Sequence, residues 1–328
     1  MTTAPPGPGE APLALVAGAS RGLGLLIARE LGRRGHRLVI CARSADELGR
    51  ARATLSAEGL QVRTEVCDVA DSSAVDRLVA GIEGDEGPIA VLVAVAGVIQ
   101  VGPLASLHRS HFEEAIDIML WGPINLALAV GPRMRGRGHG RIGVITSVGG
   151  LVPVPHLLPY STAKFGAVGF TSGLRSELAG TGVKVTTVAP GLMRTGSHLR
   201  ATFTGNQGAE YAWFAPSATL PLVAMNAERA AAKIVDGVLA GRAYVLLSPL
   251  TKIAARVNGL APATTSALLG LAARLLPAGP PAAQATTLQG HQVEQRLRPV
   301  PTAAIRAATM LGRSAARRWN QRPPSGSQ

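Results

Sequence analysis

Short apolar runs alternate with helix-periodic stretches along most of this chain, and that alternation limits the fold more than any other feature. The apolar runs fall at 13–17, 37–42, 60–66, 89–95, 142–146, 183–188 and 243–247. Between them lie helical patterns at 72–83, 108–134, 227–240 and from Tyr160 to about Ala179. Strands separated by helices predict a parallel sheet covered on both faces.

The first strand, 13–17, leads into GASRGLG, Gly18 to Gly24, and then the helical pattern LLIARELGRRG. Gly18 allows a tight turn, while Gly22 and Gly24 let the backbone and the helix N-terminus approach a pyrophosphate. The spacing is G-x-x-x-G-x-G, unlike the G-x-G-x-x-G of other dinucleotide folds. The second strand ends in Ala42, Arg43 and Ser44 rather than in an acid. An acid there would bind a ribose 2′-hydroxyl, and a basic residue suits a 2′-phosphate. Arg43, with Arg21 in the glycine loop, therefore favours NADP(H) over NAD(H). The expected fold is α/β, a three-layer Rossmann-type doubly wound parallel sheet with a helical C-terminal extension.

The chemistry centres on Arg141 to Lys164. A strand at 142–146 ends at Ser147, a Gly/Pro-rich loop follows, and a helix begins near Tyr160. Tyr160 and Lys164 are one helical turn apart and share a face. A free phenol titrates near about 10, so a neighbouring ammonium should lower that value and let Tyr160 trade protons near neutrality. Ser147 would then hydrogen-bond a carbonyl or alcohol oxygen. A Tyr and a Lys at this spacing occur on many surface helices; the glycine loop far upstream is what gives the pair weight.

Of the net charge of +13, the segment from 250 onward supplies ten Lys/Arg against the single acid Glu294. The remainder is close to balanced, which argues against a uniform nucleic-acid-binding surface. Cys41 and Cys67 lie near strand ends and read as buried small residues in a reducing cytoplasm. No Cys/His set has metal-ligand spacing. Residues 1–11 read as a disordered leader without an apolar signal region, and no run of 18 apolar residues occurs.

Four motifs in order resemble the short-chain dehydrogenase/reductase family over roughly 12–245: the glycine loop, Asp68-Val69, the Ser147/Tyr160/Lys164 set and Pro190-Gly191-x-x-x-Thr195. The resemblance implies Tyr160 as catalytic acid/base, Lys164 on the nicotinamide ribose and Ser147 on the substrate carbonyl. It implies cofactor contacts from Gly18, Ser20, Arg21, Gly22, Leu23 and Gly24. Arg43, Asp68, Val69, Ala96, Gly97, Tyr160, Lys164, Pro190, Gly191 and Thr195 complete the implied set, with Asp68 at the adenine and Thr195 at the nicotinamide. Two positions depart from the family. Val95-Ala96-Gly97 stands where N-A-G is usual, and Met119 stands at the position of a fourth catalytic residue, an Asn. In the family that Asn acts largely through its backbone carbonyl, holding a relay water. Pro123 has no N–H to offer the carbonyl four residues earlier, so the Met119 carbonyl is expected to stay available despite the missing Asn.

The catalytic domain is expected to span 12–248, with a substrate lid at 195–226 and a basic helical extension at 249–328. Tyr211, Trp213 and Phe214 cluster in the lid and suggest a lipophilic substrate, or else ordinary helix packing. His156, Met193 and Trp213 are candidate substrate contacts. The extension carries leucines at 268, 271 and 275 and a basic helix ending near Trp319. It could pack over the pocket or a subunit interface, lie on an anionic membrane, or stay disordered. The functional expectation is an NADP(H)-dependent carbonyl/alcohol oxidoreductase acting on a small molecule, cytoplasmic with membrane association open, and homo-oligomeric by family resemblance. The alternative is a non-catalytic dinucleotide-binding sensor or scaffold. An epimerase or dehydratase is disfavoured by the glycine spacing.

Overall fold

The computed structural model describes residues 11–220, 224–296 and 309–321. The expected leader therefore lies outside the described residues, save for Ala11. The chain begins with strand β1 (Leu13–Ala17), helix α1 (Gly22–Arg33), β2 (Arg37–Ala42) and α2 (Ala45–Ser56). It continues through β3 (Val62–Val66), α3 (Ser72–Asp85), β4 (Ile89–Ala94) and the short β5 (Gln100–Val101). The long helical region is α4 (Arg109–Ile116), a π-helical turn at Asp117–Trp121 and α5 (Gly122–Arg137). Then come β6 (Gly140–Ile145), α6 (Leu158–Glu177), β7 (Val183–Ala189), β8 (Met193–Arg194) and β9 (Thr202–Thr204). The second half of the lid and the last sheet strand comprise α7 (Gln207–Ser217), β10 (Met225–Asn226), α8 (Ala227–Leu239) and β11 (Tyr244–Leu246).

Seven strands form one sheet in the order β11-β7-β6-β4-β1-β2-β3, and all its pairs are parallel. β1 is buried along its whole length, as an aliphatic strand covered on both faces must be. Leu25, Ile27 and Leu31 of α1, Leu48 and Leu55 of α2, and Ile234 and Val238 of α8 close one face. Val75 and Val79 of α3 and Leu126, Val130 and Met134 of α5 close the other. The chain reverses its direction of travel across the sheet between β1 and β4, so the loops that leave their paired carboxyl ends diverge and open a crevice.

A third core, not read from the sequence, sits beside that crevice. β9 pairs parallel to β5 and antiparallel to β12 (Thr287–Gln289), which comes from the extension. Phe203 packs edge-on against Tyr211 at 5.3 Å and Phe214 at 5.7 Å. Such strands of two or three residues leave no period-2 signature to read.

The extension includes α9 (Pro249–Leu260), α10 (Pro262–Ala273), α11 (Gly290–Arg296) and α12 (Met310–Arg318). Val293 of α11 joins the third core. α12 lies against the loop after β8, where a side chain at Gly196 would overlap Ala316. Trp319 is buried, with Arg29 and Arg318 guanidiniums stacked at 5.1 and 4.7 Å from its ring. The described end of the chain thus packs onto the body of the protein; α9 is tied to it through Asn258, which donates to the Leu151 carbonyl at 2.9 Å, whereas α10 buries none of its residues.

Candidate active site

The loops after β1, β2, β3, β4, β6 and β7 meet at one sheet edge and line a cleft of about 480 Å³. The β1 loop turns sharply because Gly18 sits at φ 87°, and a Cβ there would strike the backbone of Ala96. Ser20, Arg21, Leu23 and Gly24 line the cleft, as do Arg43 after β2 and Asp68-Val69 after β3. Asn125 of α5 is buried and donates to the Val69 carbonyl at 3.0 Å, holding this loop from behind. Val95 fills the place of the usual Asn without unpicking the sheet, since the Val95 and Ala96 amides both donate to the Ala17 carbonyl, at 2.8 and 3.1 Å. Ala96, Gly97, Met119, Pro190, Gly191, Met193 and Thr195 also line the cleft.

Two expected site residues do not line the cleft. Gly22 is covered, because its N–H donates to the Trp319 carbonyl at 2.8 Å. His156, at φ 61°, is turned to Glu210, with Nδ1 2.8 Å from the carboxylate. Trp213 does line the cleft, and its indole N–H donates to the other oxygen of Glu210 at 2.7 Å. Glu210 itself is fully buried, so one carboxylate ties the lid helix to the loop before α6. Of the lid aromatics, Tyr211 is fully buried packing and Phe214 reaches the cleft.

Ser147, Tyr160 and Lys164 all face the same cleft. Ser147 Oγ accepts the Gly149 N–H at 3.1 Å and hydrogen-bonds Tyr160. Lys164 is buried and donates to the Ile145 carbonyl at 2.7 Å, leaving two N–H bonds for other partners. The expectation that Lys164 lowers the Tyr160 pKa is corrected. Burial pushes the phenol above its ordinary value, and the Ser147 hydrogen bond offsets this only in part. The ammonium lies 5.8 Å from the ring centroid and is itself pushed down to about 8 by burial.

Met119 is fully buried, and its thioether lies against Gly97. The helix there runs in the π register, with the Gly122 N–H reaching the Asp117 carbonyl. Pro123 therefore withholds a donor from Ile118 in that register, or from Met119 in the α register.

Arg21 is ion-paired to the buried Glu47, which also accepts from Ser20 Oγ at 3.0 Å and Arg200 at 2.9 Å. Burial pushes the Glu47 carboxyl up, but Arg21 and Arg200 outweigh it and hold the group below its usual value. Two guanidiniums therefore hold one carboxylate, and Arg43 is exposed on the same cleft. Glu47, Arg200 and Asn125 escaped sequence reading, because each acts on partners 26 to 153 residues away.

The profile of the short chain dehydrogenase family matches residues 12–202, more than half of the chain. The chain belongs to that family. It is similar to a putative ketoacyl reductase of Streptomyces coelicolor, 39% identical over 185 residues, covering 56% of this chain and 71% of the relative. Gluconate 5-dehydrogenase of Gluconobacter oxydans is 36% identical over 182 residues, with the same two shares. Among solved structures, a Phe-to-Trp variant of actinorhodin polyketide ketoreductase with NADPH aligns at TM-score 0.63 and 31% identity, over 72% of this chain and 95% of that one. This short-chain dehydrogenase is thus an NAD(P)-dependent oxidoreductase of carbonyl and alcohol groups. The profile stops at residue 202, within the lid and well before the extension.

Proposed function

We propose that the chain interconverts a lipophilic carbonyl compound and its secondary alcohol with NADP(H), using Tyr160 as acid/base. The observation that carries this is the meeting of Ser147, Tyr160 and Lys164 with the glycine loop in one cleft. The donor set fits a phosphorylated dinucleotide: helix-start amides at Leu23 and Gly24, and a rim on which Arg21, Arg43 and Arg200 outnumber Glu47. A bound nicotinamide nucleotide would supply the hydride. The protein's own groups handle the oxygen. Burial keeps the Tyr160 phenol protonated at neutral pH, so it is ready to donate as a carbonyl oxygen gains charge. Ser147 stabilises the same oxygen, and Lys164 supplies positive charge from beneath. Ile99, Val154, Leu157, Trp213 and Phe214 give the substrate end apolar walls, which favours a lipophilic substrate. Pro123 favours a free main-chain carbonyl at Ile118 or Met119 to hold a relay water. NADPH oxidation across a panel of carbonyl compounds, with Tyr160→Phe alongside, tests the reading. Tight NADPH binding with no turnover on any compound would instead support the sensor.

The remaining readings concern surfaces. Trp121, Leu128 and Phe165 lie exposed on the long helices and suit a homo-oligomer, which light scattering after size exclusion would detect. Within the basic extension, we assign the expected membrane contact to α9–α10. Those helices expose Leu260, Leu268, Leu271 and Leu275 beside Lys252, Arg256 and Arg274, with no acid between 249 and 275. Flotation with anionic vesicles should fall for the Leu268→Gln/Leu271→Gln/Leu275→Gln variant. A wild type that does not float removes the membrane reading, and equal flotation of both shows that these leucines do not carry it.

A further inference from the structure

The stretch from Trp319 to Gln321 lies across the mouth of the glycine loop, though neither its composition nor its spacing resembles a nucleotide motif. The Trp319 carbonyl accepts the Gly22 N–H, the first amide of α1. Asn320 Nδ2 donates to the Ser20 carbonyl at 2.8 Å and the Glu47 carbonyl at 3.1 Å, and its Oδ1 accepts from Arg50 at 2.9 Å. The Gln321 carbonyl accepts from Arg200 Nε at 2.9 Å. The strap is therefore stitched to the glycine loop, to α2 and to the lid, the elements that shape the phosphate rim.

Its anchorage is deep. Trp319 is held between two arginines, Arg318 reaches Glu228 at 3.5 Å, and Arg313 pairs with Glu294 of α11. Gly22 tolerates this cover because it has no side chain; a Cβ there would overlap the Gln321 amide. Gln321 lines the cleft and is only 7% exposed, yet its Oε1 has no hydrogen-bond partner among the described residues. An amide oxygen so deeply buried normally has a partner. The residue borders the cleft that holds Ser147, Tyr160 and Lys164, beside the helix-start amides that attract anions.

We infer that Gln321 is a cofactor-contacting residue, and that the 319–321 strap is a built wall of the dinucleotide site, closing over the phosphate-bearing half of the nucleotide. The inference rests on the proposed NADP(H) reading. The Gln321 amide offers a donor for a phosphate oxygen and an acceptor for a ribose hydroxyl. The strap commits the outermost amide of α1 to the Trp319 carbonyl and leaves those of Leu23 and Gly24 to the ligand. Asn320 and Trp319 are positioning residues that set Gln321 in place.

Binding of NADPH and of 2′,5′-ADP to wild type, Gln321→Ala and Gln321→Glu, followed by calorimetry and by stopped-flow release, tests this. Gln321→Ala is expected to weaken both ligands three- to tenfold through faster release, and Gln321→Glu to weaken them further by placing a carboxylate against phosphate. Thermal melts of the three ligand-free proteins check folding: affinity lost by a variant that still melts cooperatively counts for the contact. Unchanged or tighter binding by both variants overturns the strap's role while leaving the NADP(H) reading intact. A wild type that binds neither NADPH nor 2′,5′-ADP overturns both.

Discussion

The catalytic wall and the C-terminal strap meet in one cleft but are built by opposite means. Ser147, Tyr160 and Lys164 come from one strand–loop–helix unit, and their geometry is local: a strand end, a turn and one face of α6. The strap reaches its place through partners hundreds of residues upstream, and a buried aromatic holds it rather than a repeating backbone pattern. Local units place reacting atoms reproducibly across a family. Remote anchoring brings a distant segment to the edge of that cleft, where the proposed wall would form without touching the reacting groups.

Breaking the catalytic half should give the largest effect. Tyr160→Phe keeps the ring packed but removes the proton, and kcat should fall by about 10²–10⁴-fold with NADPH affinity little changed. A comparable loss of NADPH affinity in titrations would show that the two halves are not separable. Next comes the anchor. Trp319→Ala should cost about 3 kcal/mol in urea denaturation, since it empties a buried aromatic site. The exposed Leu268→Ala should stay within about 0.5 kcal/mol. Equal effects would mean that the strap is not docked.

Titration distinguishes the halves on opposite sides of neutrality. Lys164 has a pKa near 8 in the folded protein, below its ordinary 10.5, so unfolding takes up a proton between those values. Stability of the ligand-free protein should therefore rise from about pH 8 toward 10, by up to about 1.4 kcal/mol per unit, and Lys164→Met should flatten that rise. On the proposed reading, carbonyl reduction draws on the charged lysine and should fall over the same range. Under the lid, His198 is buried with neither ring nitrogen hydrogen-bonded among the described residues, and burial, helped by the Arg313 charge, lowers it to about 4 from 6.5. Unfolding takes up a proton there too, so stability should drop as pH falls from 6.5 to 4, and His198→Leu should remove that loss. Melting temperatures across both windows check each sign. The smallest effect is Glu210→Gln, which keeps an acceptor for Trp213 but gives up the negative charge beside His156. About 1 kcal/mol, roughly a fivefold rise in substrate KM, is expected with NADPH binding unaltered.

The catalytic half is legible in the sequence because its signals are periodic and close together. β1 and β2 fall where the apolar runs do, and Tyr160 and Lys164 share a face as their spacing requires. The direction of the Tyr160 shift is not legible, since it depends on how much water the folded cleft excludes. The glycine pattern correctly places Gly22 at the helix start, but nothing in GASRGLG reveals that a carbonyl 297 positions later occupies its amide. Glu210 likewise reads as an ordinary helix acid, and its burial against His156 and Trp213 follows only once α7 docks. Pro123 signals a disturbed helical ladder, but not the π register that precedes it.

The bond from Asn320 to the Ser20 carbonyl closes a loop of 300 residues. Drawing together chain ends so far apart costs about 5 kcal/mol of configurational freedom if the intervening polymer is slack, and much less once it has condensed. That ordering makes the clasp one of the last contacts to form during folding and one of the first to open in a native fluctuation. Amide exchange at Gly22 should accordingly outpace exchange at Leu25, three residues deeper in the same helix.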